Sequence, residues 1–233
     1  MSRISELIER YAPSGVQYEP LRQVGTWYGG GTPSKAKPQF WENGTIPWVS
    51  PKDMGRHVVD STEDYITEAA VRGSATRLVP ANSVAIVVRS SILDKKLPTA
   101  LIPVPAALNQ DMKAVVARDD IIPAYLAHVL RAKGDNILKA ARKSGGSVAS
   151  IESDKLFAFS VPVPAMEIQQ EIVQVLDQFS KLQADLEAEL EAELSARRRQ
   201  YHHYRDTLLS FPEDTGSQAS KQASKQASKQ RGY

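Results

Sequence analysis

Between Pro164 and Pro212 lie almost fifty residues without a glycine or a proline, a span much longer than the three-turn helix usual in globular proteins. Its apolar residues step by threes and fours: Ile168, Ile172, Val175, Phe179, Leu182, Leu186, Leu190 and Leu194, then Tyr201, Tyr204, Leu208 and Phe211. Alternating threes and fours is the heptad seam of a coiled coil, and the consecutive steps of four from Leu182 to Leu194 locally relax the left-handed supercoil. At about 1.5 Å per residue such a helix is roughly 65–70 Å long. One apolar stripe of that length needs a partner, and another long helix is the expected one. The stripe residues assigned to the pairing are Ile172, Val175, Phe179, Leu182, Leu186, Leu190, Leu194 and Tyr201.

Inside this segment a tetrapeptide repeats as Leu186-Glu187-Ala188-Glu189, Leu190-Glu191-Ala192-Glu193 and Leu194-Ser195-Ala196-Arg197. Four residues slightly exceed one turn, so each copy adds about 6 Å without breaking the helix. Asp185 to Glu193 is acidic, and Arg197, Arg198, Arg199 and Arg205 follow. Antiparallel pairing sets unlike blocks side by side; parallel pairing sets like against like. Exposed pairs of this kind select orientation more than they stabilise.

The 233 residues are 42% apolar and 24% charged, ordinary for a soluble protein. Residues 1–163 are expected to form one compact domain, 164–211 the helix and 212–233 a disordered tail with Gln-Ala-Ser-Lys three times over. There is no cysteine, which excludes disulfides and thiolate metal sites. The N-terminus lacks the apolar core of a signal peptide and no run suits a membrane span, so a cytoplasmic protein with no membrane partner is expected. Residues 1–164 hold 20 Lys and Arg against 16 Asp and Glu, a net of +4, while 165–211 hold 5 against 9, a net of −4. The compact domain is the candidate for an anionic partner.

Along that domain, Ser2–Tyr11 reads as an amphipathic helix. Leu78–Pro80, Ser83–Val88, Thr99–Val104 and Met112–Ala117 read as strands of a mixed or mainly antiparallel sheet. Gly29-Gly30-Gly31 reads as a flexible turn, and the stretch from there through Ile46-Pro47-Trp48-Val49 as loop. Helices are expected at Pro123–Lys133 and Asn136–Lys143, a loop at Ser144–Ile151, and an extended piece at Leu156–Val163. The fold class is α+β.

Catalytic readings lack parts. The triple glycine has no Gly-Lys-Ser/Thr ending and no spaced glycine fingerprint. The four histidines form no ligand set, no Gly-x-Ser-x-Gly elbow is present, and Asp94-Lys95-Lys96 lacks the second carboxylate of a nuclease centre. No catalytic residue and no metal site are therefore assigned. What remains is a cationic surface interleaved with Ser, Thr, Asn and Gln, residue types that contact phosphates and base edges.

Gly31-Thr32-Pro33-Ser34, Phe40-Trp41-Glu42-Asn43-Gly44 and Ile46-Pro47-Trp48-Val49-Ser50-Pro51-Lys52-Asp53 resemble the target-recognition domain of type I restriction-modification DNA specificity subunits. The Ser144–Ile151 loop with Val161-Pro162-Val163-Pro164 is similar to the close of that domain. Ile168-Gln169-Gln170-Glu171-Ile172 through Phe179, ending Arg197-Arg198-Arg199-Gln200-Tyr201, resembles the family's spacer helix. The resemblance covers roughly residues 5 to 211. It implies a subunit that reads double-stranded DNA without doing chemistry and docks modification (methyltransferase) and restriction subunits. It implies no cofactor on this chain, S-adenosylmethionine belonging to the modification partner. The family's usual chain holds two recognition domains and two spacer helices; this one holds one of each. A twofold homodimer with antiparallel helices restores the full set and predicts a palindromic, interrupted target; pairing with a different half predicts an asymmetric one. Lys35, Lys52, Arg56, Arg89, Lys95, Lys96, Arg142 and Lys143 are the residues expected at DNA, with Ser91 and Gln110 at base edges. The rival reading is a coiled-coil scaffold whose DNA affinity is incidental.

Overall fold

The computed structural model describes residues 3–211 other than Ser144 and Gly146, together with Ala223 and Lys225. The disorder expected of residues 212–233 thus falls, Ala223 and Lys225 apart, outside the described residues. In chain order the elements are α1 (Arg3–Tyr11), β1 (Tyr18–Pro20), β2 (Gly25–Gly29), β3 (Ile46–Val49), β4 (Tyr65–Ile66), α2 (Glu68–Gly73), β5 (Leu78–Val79) and β6 (Ser83–Val87). There follow β7 (Thr99–Ile102), β8 (Ala106–Leu108), β9 (Met112–Ala117), α3 (Pro123–Ala132), α4 (Gly134–Ala141), α5 (Ser153–Ala158), β10 (Ser160–Pro162) and α6 (Met166–Leu209). The fold is α+β, with sheets first and one long helix last.

One four-stranded sheet has the order β2-β9-β6-β7 and is antiparallel throughout. Every residue of β6 is buried, because it is a central strand whose faces are both covered. α3 packs against β6, β7 and β9 through Tyr125, Leu126 and Leu130, the face expected from a period of 3.6. The second sheet has the order β4-β3-β8-β5 and is mixed, with β3 and β8 parallel and the other pairs antiparallel. A pairing of β1 with β10 ties the start of the sheet region to the segment entering α6.

Three expectations are corrected. Ile46–Val49 is a strand, not loop: Ile46 and Pro47 pair with β4, and Trp48 and Val49 then pair with β8. Pro47, with no N–H to give, sits outside the parallel ladder, so a proline reads as a breaker yet breaks nothing. The extended piece expected at Leu156–Val163 divides into α5 and β10. Its prolines restrict only the residues just before them, leaving residues 153–158 free to close a turn and a half that buries Leu156. The triple glycine supplies close approach, not a flexible turn. A Cβ on Gly30 would stand 1.8 Å from the Asn109 carbonyl oxygen, and one on Gly31 3.1 Å from the Ala75 backbone. Leu108 accepts from the Gly31 amide at 2.8 Å, while the Gly31 carbonyl accepts from the Trp48 indole and the Thr76 hydroxyl.

The compact unit extends to Asp177, so the first turns of α6 belong to it and the rest of the helix, from Gln178, forms a second unit. Ile168 and Gln169 are buried there. The Gln169 carboxamide accepts from the Ile122 amide at 2.9 Å and donates to the carbonyls of Asp120 (2.9 Å) and Pro164 (2.8 Å). Three backbone groups from the approaches to α3 and α6 are satisfied by one side chain. Among the described residues no helix is long and apolar enough to cross a membrane.

Candidate nucleic-acid interface

Where β6 ends, the chain meets two distant loops. Asp111 accepts through its carbonyl from the amides of Val88 (2.8 Å) and Arg89 (3.3 Å), while the Ser90 amide donates to Ala149 and the Ile151 amide to Val88. This pairing brings the 88–96, 109–111 and 142–151 segments side by side. Arg89 Nε lies 3.1 Å from Asp111 Oδ1. Gln110 bridges Asp111 and the Thr32 hydroxyl. Asp94, closing the 3-10 turn Ser91–Asp94, holds the Arg142 guanidinium. Lys143 donates its amide to Ser150 at 2.8 Å.

Beside this ion pair opens a cleft of about 510 Å³, lined by Asp94, Leu138, Lys139, Arg142, Lys143, Gly145 and Ser147–Ala149. Lys139 in the last turn of α4 and Arg142 and Lys143 just past its end all line this cleft, which gathers their charges there. Lys139 was not among the residues expected at DNA. Around the network stand six cations (Arg89, Lys95, Lys96, Lys139, Arg142, Lys143) and two carboxylates (Asp94, Asp111). Lys35, Lys95, Lys96, Lys139 and Lys143 are paired with no carboxylate among the described residues. The Arg142–Asp94 pair is solvated, its side chains being 47% and 52% exposed, whereas Asp111 beside Arg89 is only 21% exposed. An arriving phosphate can therefore exchange with the Asp94 carboxylate at little cost.

Lys52 and Arg56 stand apart. Lys52 Nζ lies 2.5 Å from Glu63 and 3.1 Å from Asp64; hydrogen bonds to those two carboxylates raise its pKa far above the ordinary lysine range. Arg56 is paired with Asp60 at 3.1 Å and bonds Ser61. With Asp53, whose carboxylate accepts from the amides of Ser50 and Glu63, this loop carries two cations and four carboxylates. It gives no cationic surface. Lys35 lies on a third loop, 6.0 Å over the Trp41 ring, which itself meets Trp48 edge-on at 5.2 Å; Thr32 in the same loop reaches Gln110. Ser91, Lys95 and Lys96 follow Arg89 directly. Lys96, Arg131 and His128 all lie near His57, whose pKa partial desolvation and then these neighbours hold below the usual value. Among the described residues no group of three or more His, Cys, Asp or Glu side chains is placed to hold a metal ion.

On α6 the assigned stripe divides. Ile172 packs against the chain's own core and Val175 is half-buried. Phe179, Leu182, Leu186, Leu190, Leu194 and Tyr201 are between 52% and 66% exposed. Six large apolar residues on one stripe of one helix are more than scattered surface residues.

The family model of the type I restriction modification DNA specificity domain matches residues 13–196. The chain is 59% identical over 198 residues to the Escherichia coli type I restriction enzyme EcoR124I/EcoR124II specificity subunit, covering 85% of this chain and 49% of that one. It is 37% identical over 225 residues to the E. coli EcoprrI specificity subunit, covering 92% and 55% respectively. The chain thus spans about half the length of the curated relatives it matches. A solved structure from work on complex assembly and conformational transition of the type I R-M system shares the fold over 87% of this chain and 50% of that one (TM-score 0.64, 19% identity). The HsdS subunit from Thermoanaerobacter tengcongensis does so over 78% and 43% (TM-score 0.56, 19% identity). On the family match and the identity to these curated relatives, the chain belongs to the type I restriction-modification DNA specificity family.

Proposed function

We propose that this chain reads duplex DNA through the network of Arg89, Ser91, Lys95, Lys96, Gln110, Arg142 and Lys143, with Lys35 at its margin and Lys139 added to it. Two copies, paired through α6 in antiparallel sense, present two such surfaces to a bipartite target and direct modification and restriction subunits to it in the cytoplasm. The chain itself does no chemistry on this reading, and S-adenosylmethionine is held by the modification subunit. The observation that carries it is the concentration of six cations against two carboxylates on three adjoining loops and the last turn of α4, since phosphate neutralisation supplies a large share of the affinity for duplex and base-edge contacts supply its specificity. The scaffold reading is favoured by one observation, the uncovered stripe from Phe179 to Tyr201, which both readings use.

Binding of labelled duplexes by the chain together with its modification subunit, measured between 50 and 200 mM salt, separates the two. Tight binding of one duplex over shuffled ones, falling steeply with salt, is the expected result. Equal, weak binding of every duplex, with the helix still pairing, refutes DNA reading and leaves the scaffold.

A further inference from the structure

Resting on the reading of this surface as the one that meets duplex, we propose that Arg89 reads a guanine in the major groove, with Asp111 as its positioning residue. The Arg89 main chain is fixed from two sides. Its amide donates to the Asp111 carbonyl at 3.3 Å, and it forms an antiparallel bridge with Ser150. The side chain is exposed, with Nε 3.1 Å from Asp111 Oδ1. Among the described residues neither Nη1 nor Nη2 of Arg89 donates a hydrogen bond, so the terminal fork is uncommitted.

Asp111 is itself held. The Asn109 side-chain oxygen accepts from the Asp111 amide at 2.7 Å, and Gln110 Nε2 lies 3.4 Å from Asp111 Oδ2. A mostly covered carboxylate fixed in this way stays beside Nε when DNA arrives, and keeps the two terminal nitrogens turned away from it.

The neighbouring polar groups are committed elsewhere. Arg142 donates through Nη2 to Asp94, in the solvated pair that phosphate can open. Gln110 is bonded at both ends of its carboxamide, to Thr32 and to Asp111, so it steadies the carboxylate instead of pairing with adenine. Lys95, Lys96, Lys139 and Lys143 bring point charges, which attract phosphate without a fixed fork. Arg89 thus offers two parallel donors on a rigid support. In the major groove guanine presents two acceptors, N7 and O6, whereas adenine presents an acceptor beside a donor. Two donors satisfy the first and clash with the second. Because Asp111 already offsets its charge, Arg89 should govern base preference more than salt dependence.

The test uses the full chain with its modification subunit and a randomised duplex library. The parent should select a site with a guanine whose replacement by adenine costs about tenfold or more in affinity. 7-Deazaguanine at that position, which lacks N7, should weaken the parent severalfold. In Arg89→Ala both penalties should fall below about twofold at that position alone, with the slope of log K against log salt kept within about half a unit. Arg89→Lys, which keeps the charge and loses the fork, should keep the slope and lower the preference. Asp111→Asn, which keeps the shape and removes the charge, should lower the guanine preference severalfold. Base preferences unchanged in Arg89→Ala, or a slope flattened by about 0.9 as for a lost phosphate contact, overturn the assignment while DNA reading stands. An unchanged preference in Asp111→Asn overturns the positioning role. A parent that selects no duplex overturns DNA reading, and the assignment with it.

Discussion

Replacing Arg142 and Lys143 together by alanine tests where the phosphates go. Arg142 loses only a solvated ion pair with Asp94, worth less than about 1 kcal/mol, and exposed Lys143 contributes its backbone amide, which alanine keeps. The fold should therefore be unchanged, with the urea midpoint close to that of the parent. Duplex affinity should not be. Each phosphate contact contributes about 0.9 to the slope of log K against log salt, so losing two flattens the slope by about 1.8. Between 50 and 200 mM salt the parent should then lose about twelvefold more affinity than the variant. The control is Lys52→Ala with Arg56→Ala. Glu63, Asp64 and Asp60 already hold those charges, so the slope should stay within about half a unit of the parent. Fluorescence anisotropy titrations at four salt concentrations give all three slopes. An unchanged slope in the Arg142/Lys143 variant, or a flattened one in the control, would refute the assignment of the cationic surface.

Other consequences concern stability. Gln169→Ala strands the Ile122 amide and the carbonyls of Asp120 and Pro164, which should cost about 3 kcal/mol and lower Tm by about 10 °C, read by calorimetry; a loss under about 1 kcal/mol would mean that water replaces the carboxamide. Gly30→Ala sets a methyl 1.8 Å from the Asn109 carbonyl oxygen, where only backbone could give way, so the variant should lose at least about 3 kcal/mol by urea titration or fail to accumulate. His57 has a folded pKa held below its ordinary value of 6.5, first by partial desolvation and then by Arg131, His128 and Lys96. The unfolded chain therefore takes up a proton first on acidification. Stability from this group is complete above pH 6.5 and declines as pH falls from there towards the lowered folded value. His57→Asn should make the urea midpoint less sensitive to pH between 7.5 and 5.5; an unaltered pH dependence would remove His57 from the account.

Elements whose signal is local were legible in the sequence, and those whose signal is a partner were not. α6 announces itself by the absence of breakers between two prolines, β9 by its apolar run, and α3 by Tyr125, Leu126 and Leu130 at helical spacing. β3 was hidden because Pro47 suggests a loop, and only its hand-over from β4 to β8 makes that proline harmless. Gln169 was hidden because a glutamine near a helix start looks like surface until three backbone groups are found converging on it.

The cationic residues show the limit most clearly. Lys52 and Arg142 are equivalent in the sequence, each a cation in a segment resembling a recognition domain. They differ in what the fold brings to them. Two carboxylates neutralise Lys52 from across a turn, while Arg142 receives one solvated carboxylate from 48 residues away and shares its surface with four lysines. The net charge of +4 over residues 1–164 is too diluted to locate a partner. The folded chain concentrates an excess of four on the three loops around Arg89 and Arg142 and the last turn of α4, and leaves the Lys52 loop with an excess of two carboxylates. An anion approaching this domain is attracted to charge that remains uncompensated after folding, and that quantity is set by which loops the β6 pairing joins.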